Sequence, residues 1–207
     1  MLKTQGNSIK NRINPKCEIR KQISDCVSLT LALVNDIDTL AAIAECWTRT
    51  FENGGKIYFA GNGGSAADAQ HFAAELAGKF YLEREPLPAV ALTTNSSILT
   101  ALGNDYGYDI IFARQIQALA EPGDVVVGIS TSGNSLNVLK AMEAARAAGA
   151  VTVAFTGMGG KLKETADIIL TVASHDTPRI QEIHETPPHT FTTLITQLPV
   201  FTHKKIS

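Results

Sequence analysis

The chain has 207 residues, with 18 Lys and Arg against 20 Asp and Glu, a formal charge of −2 at pH 7, 44% hydrophobic residues and 18% charged ones. That length holds one domain with a sizeable core, and the near-neutral balance excludes the global basic field of a dedicated nucleic-acid binder. The low charged fraction excludes disorder and hints at surface hidden beyond a monomer's own core.

The chain begins with a polar stretch over residues 1–16, expected to fray, with no apolar run after a basic start and hence no secretory signal. Cys17, Cys26 and Cys46 are odd in number and lack metal-type spacing, so they read as reduced thiols. From Lys21 to Phe51 the pattern is helical: Ile23, Val27, Leu31 and Val34, then Ile37, Leu40, Ile43, Ala44 and Trp47. Asn35-Asp36 marks a break and a new N-cap. These two helices form an arm in which Trp47 reads as a core or subunit-contact residue. No stretch reaches the ~18 apolar residues a spanning helix needs. The expectation is a cytoplasmic protein that neither crosses a membrane nor binds nucleic acid.

Asn53-Gly54-Gly55 closes the second helix. A strand over 56–60 then runs into Gly61-Asn62-Gly63-Gly64-Ser65, followed by a helix to Gly78. A second strand at 89–92 precedes helical stretches at 96–103 and 108–120. The clearest strand, 124–130, ends in Thr131-Ser132-Gly133-Asn134-Ser135 and an Ala-rich helix to Ala148. Strands at 151–156 and 168–172 complete the series. Apolar strands alternating with helices imply an α/β fold with a doubly wound, five-stranded parallel sheet covered on both faces, a flavodoxin-like three-layer sandwich. One domain is expected over 1–207: a helical arm (1–54), the sheet core (55–184) and an atypical C-terminal segment (185–207).

Ligands of such sheets bind beyond the carboxyl ends of the strands. In the loop 61–65, glycines admit close approach of a ligand and leave amides free, although a plain strand-to-helix turn has the same composition. A dinucleotide fingerprint would need glycine at Ala66. In the second loop, the hydroxyls of Ser130, Thr131, Ser132 and Ser135 crowd one helix start. A single N-cap explains one hydroxyl and not four, so the loop is read as a phosphate cradle that needs no lysine. His71 and Glu75 are four apart on a helix and point to one side, as a shared metal or proton site or an ordinary surface pair would.

Several motifs together resemble the sugar isomerase (SIS) domain family and, within it, the phosphoheptose isomerases, which act on sedoheptulose 7-phosphate. They are Gly61–Ser65, Asp68–Glu75, Gly103-Asn104-Asp105-Tyr106-Gly107, the serine loop and Arg179-Ile180-Gln181-Glu182-Ile183-His184. The likeness runs from about Leu40 to His184. It implies a divalent-metal site, usually zinc, at His71, Glu75, Gln181 and His189, with Glu75 and His189 as the acid/base pair. It implies substrate contacts from Asn62, Gly63, Gly64, Ser65, Glu75, Asn104, Asp105, Ser130, Thr131, Ser132, Ser135 and Gln181. It also implies a homotetramer with sites at subunit interfaces and a first step in bacterial ADP-heptose and lipopolysaccharide core synthesis. Two other functions occur on this fold: a non-catalytic protein that binds the replication initiator, and a sugar-phosphate-binding regulator. Glu75 favours the enzyme, and residues 1–35 do not read as a helix-turn-helix.

After His184 the family's pattern gives way to Glu185-Thr186-Pro187-Pro188-His189-Thr190-Phe191. Two prolines predict that the helix ends or kinks sharply just before His189. Gln181 and His189 keep the family's spacing. His184 reads as a helix-face histidine, His175 and His203 as surface residues, and Lys79 as a solvated helix-end lysine.

Overall fold

A computed structural model describes residues 14–197. His203, Pro199 and the first 13 residues lie outside that range. Helix α1 (Pro15–Ala32) begins six residues before the periodicity predicts, because Asn14 caps it and Pro15 sits in its first turn, where a missing amide costs nothing. Lys16 N donates to Asn14 Oδ1 at 3.1 Å. A 3₁₀ turn at Leu33–Asp36 makes the anticipated break, although Asp36 makes no side-chain capping bond, and α2 (Ile37–Glu52) follows.

The sheet strands are β1 (Ile57–Gly61), β2 (Ala89–Ala91), β3 (Val125–Ser130), β4 (Val151–Thr156) and β5 (Ile168–Thr171). They are all parallel in the order β2-β1-β3-β4-β5. Helices α3 (Gly64–Ala77), α4 (Ser96–Tyr106), α5 (Ala113–Leu119), α6 (Leu136–Ala147) and α7 (Leu162–Thr165) connect them, and α8 (Thr177–His184) and α9 (Thr186–Thr196) close the described chain. The fold class predicted from strand–helix alternation is the one observed.

Strand alternation divides the core in two. Ile57 and Phe59 of β1, Val125, Val127 and Ile129 of β3, and Val153 and Phe155 of β4 face one layer, with Trp47, Phe72 and Phe191. Tyr58, Ala60, Val126 and Ala154 face the other, against Phe112, Ile116, Val138 and Met142. This period of two with both faces buried is why the strands read as unbroken apolar runs. Trp47 is fully buried, edge-on to Phe59 at 5.5 Å and to Phe191 at 5.2 Å, which settles it as core.

Helix α1 is a different case. Ile19, Ile23, Val27, Leu31, Val34 and Ile37 recur at helical spacing and are each more than half exposed. Taken as one helical run, Pro15–Glu52 is long and apolar enough to cross a membrane, contrary to the reading of the sequence. Asp36 and Asp38 lie near its middle, however, and each carboxylate would cost about 3 kcal/mol at a bilayer centre.

The C-terminal segment departs from expectation in an instructive way. The helix does break ahead of His189, at Glu185, but Pro187 and Pro188 then occupy the first turn of a new helix. Proline interrupts a helix interior, yet its fixed φ and absent donor suit a helix start. The β-branched run continues as α9 because Thr192, Thr193 and Thr196 donate their hydroxyls to the carbonyls of Pro188, His189 and Thr192, four residues back.

Candidate active site

The order β2-β1-β3 places the topological switch point between β1 and β3, and both glycine- and serine-rich loops leave the carboxyl ends of those two strands. The β1 loop starts α3. A Cβ at Gly64 would meet the Gln181 amide, so the missing side chain lets Gln181 of α8 lie directly over the start of α3. Asn62 and Asn137 exchange amide hydrogen bonds in both directions at 2.8 Å, and the Tyr108 hydroxyl donates to Asn62 Oδ1 at 3.2 Å. Asn137, buried in the first turn of α6, thereby ties the glycine loop to the serine loop. It was invisible in the sequence because its partner lies 75 residues away.

In the serine loop, Ser130 Oγ donates to Ser135 Oγ at 2.9 Å and lies 3.5 Å from Ser132 Oγ. Ser135 holds the N-cap position of α6 but makes no capping bond to the helix amides. The hydroxyls are therefore gathered on one another, and Ser135 leaves the first-turn amides of α6 uncapped; of these, Val138 N donates to Asn137 Oδ1 at 3.0 Å. Gly133 has φ +65°, and a Cβ there would collide with the Gly159 carbonyl, which holds the turn tight. Thr131 Oγ1 is 3.5 Å from Thr177 Oγ1 at the start of α8.

Helix α8 links this loop to the second cluster. It runs from Thr177, beside Thr131, past Gln181, against Gly64, to Glu185, beside His71. Eight residues at 1.5 Å each make a span of about 12 Å. At its far end His71, Glu75 and His189 converge, with one ligand atom from each lying within 4.8 Å of the others. His71 Nε2 is 2.9 Å from His189 Nε2 and 4.0 Å from Glu75 Oε1. Phe80 stacks on the other side of the His189 ring at 5.9 Å. Two imidazole nitrogens facing each other beside a carboxylate form a donor set that suits a borderline divalent cation such as zinc.

The structure thus brings His71, Glu75 and His189 together, and separately Ser130, Ser132 and Ser135. It sets Gln181 at Gly64, with no hydrogen bond to the histidine pair among the described residues. Ser65 is buried. Asn104 and Asp105 lie on the exposed end of α4, where Asn104 Nδ2 donates to Asp105 Oδ1 at 2.8 Å. Lys79 is exposed and pairs with Glu83 at 3.0 Å, and His175 is exposed.

Three further residues belong here, of which the sequence singles out only His184, as a helix-face histidine. Arg84 is buried and donates Nη2 to the Glu75 carbonyl at 3.0 Å. Burial lowers its pKa, while the Glu75 charge opposes that shift. Asp68, buried on α3, faces Glu185, and its Oδ2 has no hydrogen-bond partner. Burial first, then the hydrogen bond and charge of Glu185, push its pKa well above the carboxylate range. His184 is not a solvent-facing histidine: it is fully buried against Phe155, 5.7 Å between rings, with neither nitrogen paired. Its pKa falls to about 4, because burial penalises the cation more than the nearby Thr156 backbone favours it.

Comparison with known proteins points one way. A family profile described as the SIS domain matches residues 25–157. A phosphoheptose isomerase of Trichlorobacter lovleyi is 51% identical over 181 residues, covering 86% of this chain and 92% of the relative. The solved phosphoheptose isomerase of Neisseria gonorrhoeae superposes with a TM-score of 0.84 at 40% identity, covering 89% of this chain and 100% of the other. That of Francisella tularensis gives 0.87 at 36% identity, with 90% and 100% covered.

Proposed function

Because the chain belongs to the SIS-domain family and, within it, to the phosphoheptose isomerases, we propose that its two loops and histidine pair interconvert sedoheptulose 7-phosphate and D-glycero-D-manno-heptose 7-phosphate. The chain is an aldose–ketose isomerase of sugar phosphates. The observation that carries the site assignment is the convergence of His71, Glu75 and His189 at one end of α8, with the serine loop at the other. The span of about 12 Å between them is on the order of an extended seven-carbon sugar phosphate.

In this reading Ser130, Thr131, Ser132 and Ser135, with the α6 amides, hold the phosphate, and binding energy spent there orients carbons far from it. Asn62, Gly63, Gly64, Ser65 and Gln181 line the path of the sugar chain. Asn104 and Asp105 reach substrate from their exposed helix end. Glu75, as carboxylate, removes the proton from C1 of the open-chain ketose while the C2 carbonyl oxygen is protonated, giving an enediol. Glu75 returns its proton to C2, and the O1 proton leaves to form the aldehyde. His189, beside the reacting oxygens, shuttles the proton between O1 and O2. His71, Glu75, Gln181 and His189 would hold a zinc ion, which when bound polarises the sugar oxygens. In bacteria the product would enter heptose synthesis for lipopolysaccharide.

The exposed stripe on α1 supports a homotetramer, because a second copy of the same face is its natural cover. Free Cys17, Cys26 and Cys46 support a reducing, cytoplasmic setting. The test is formation of aldose phosphate by the purified chain with zinc supplied. Glu75→Gln should lower kcat by about 10²–10⁴-fold. Full activity in that variant would remove Glu75 from the chemistry, and no turnover by the parent under any metal condition would end the enzyme reading in favour of a binding role.

A further inference from the structure

Glu75 stands in the last turn of α3, just ahead of the C-cap Gly78. The carbonyls of a last turn have no partner within their own helix. Three of them find donors in the segment that follows. Ala74 O accepts from Gly78 N at 2.8 Å, Glu75 O from Arg84 Nη2 at 3.0 Å and Leu76 O from Leu87 N at 3.1 Å. Only the Glu75 carbonyl is held by a side chain, and that side chain is a cation. Arg84 is 4% exposed, its Nη1 donates to the Glu85 carbonyl at 3.0 Å, and its Nε is buried with no partner. A guanidinium keeps its charge at any working pH. It suits a helix C-terminus, but taking it out of water is unfavourable. Backbone amides close the Ala74 and Leu76 carbonyls without that penalty, so fastening the segment to α3 does not by itself call for a buried cation.

The same segment touches the other proposed acid/base group. Phe80 stacks on His189, with ring centroids 5.9 Å apart and planes 23° apart. Beside it Tyr81 has φ +40°, in the left-handed region that residues with a side chain rarely adopt. Such a conformation persists where its surroundings hold it. Phe80 on His189 holds one flank, and Arg84 on Glu75 holds the other.

We propose that Arg84 is a positioning residue for the isomerase reaction: it fixes the helix turn that bears Glu75 and, with it, the stack of Phe80 on His189. The inference rests on the acid/base reading of Glu75 and His189 above. Arg84 acts through Glu75 and not on the substrate. What it sets is the direction of a carboxylate that must reach C1 of the sugar, and misplacing such a group by about 1 Å costs on the order of 10²-fold in rate. The phosphate cradle lies at the other end of α8, so substrate affinity is independent of Arg84.

The test compares the zinc-saturated parent with Arg84→Met, which keeps an apolar stem and removes the charge and its donors. Leu87→Ala is the control, because it loosens the same segment through a buried side chain. With sedoheptulose 7-phosphate, Arg84→Met should lower kcat about 10²-fold and leave KM near the parent's. Leu87→Ala should lower the unfolding midpoint and keep kcat near the parent's. A crystal structure of Arg84→Met should show the Glu75 carboxylate moved from its 4.0 Å approach to His71. Parent-like kcat in Arg84→Met, or an unmoved carboxylate, overturns the proposal. So does an equal loss of kcat in Leu87→Ala, which would make activity follow the anchoring of the segment and not the guanidinium. A raised KM with kcat kept overturns it too, since that marks a binding role. If Arg84→Met does not fold, Arg84→Lys keeps the charge without the forked geometry; it should still lose kcat at constant KM, and parent-like kcat there overturns the proposal. No turnover by the parent ends the enzyme reading itself, a distinct outcome.

Discussion

Replacing His184 with leucine tests the energetics of a fully buried titratable group. The ring is fully buried, its nitrogens are unpaired, and its pKa falls from the usual 6.5 to about 4. Between those two values the unfolded chain binds a proton that the folded chain refuses, so stability drops as pH falls. From pH 8 to pH 5 this one group should withdraw about 2 kcal/mol from the folded state. The raised pKa of Asp68 acts with the opposite sign, since the folded form keeps a proton the unfolded form releases and stability declines as pH rises. Asp68 is present in both proteins, so it cancels in their difference. Urea unfolding of the metal-free proteins at the two pH values is the assay. The leucine variant should match or exceed the parent's stability at pH 8, because an unpaired buried polar ring gives way to an apolar side chain. At pH 5 it should gain about a further 2 kcal/mol relative to the parent. Equal pH slopes in the two proteins would refute the argument and mean that the imidazolium finds a partner in the fold.

Other consequences are open to direct measurement. Ser132→Ala should weaken binding of a sugar phosphate about 10-fold, the loss of one hydrogen bond to a charged group, measured by calorimetry; an unchanged Kd would remove Ser132 from the cradle. Leu31→Glu, at the centre of the α1 stripe, should shift the sedimenting species toward smaller assemblies without lowering helix content. If the assembly keeps its mass, another face holds it together.

The sequence was most readable where a pattern is local. Strands β1, β3 and β4 announce themselves because both faces are buried, so nothing interrupts their apolar runs. The serine loop and the His71–Glu75 pair lie within single short segments and were legible for the same reason. His189 was reached only through the family resemblance, and the prolines before it were correctly seen as a break. What spacing cannot show is that the chain re-enters a helix at once, aimed back at His71. Asp68 and Asn137 escaped notice because their importance comes from partners on distant segments. The early start of α1 was missed because Asn14 and Pro15 carry no hydrophobic period, only a capping geometry.

Helix α9 has a wider consequence. Thr192 and Thr196 are each 1% exposed, and their hydroxyls are spent on their own helix's carbonyls. What they present to their buried surroundings is methyl groups. A segment with five threonines in eleven residues therefore behaves as an aliphatic helix written in hydroxyl residues. The same self-contained bonding spares the core any orphaned hydroxyl, so His189 stands on a buried, firmly anchored base in a stretch whose letters promise a loose tail.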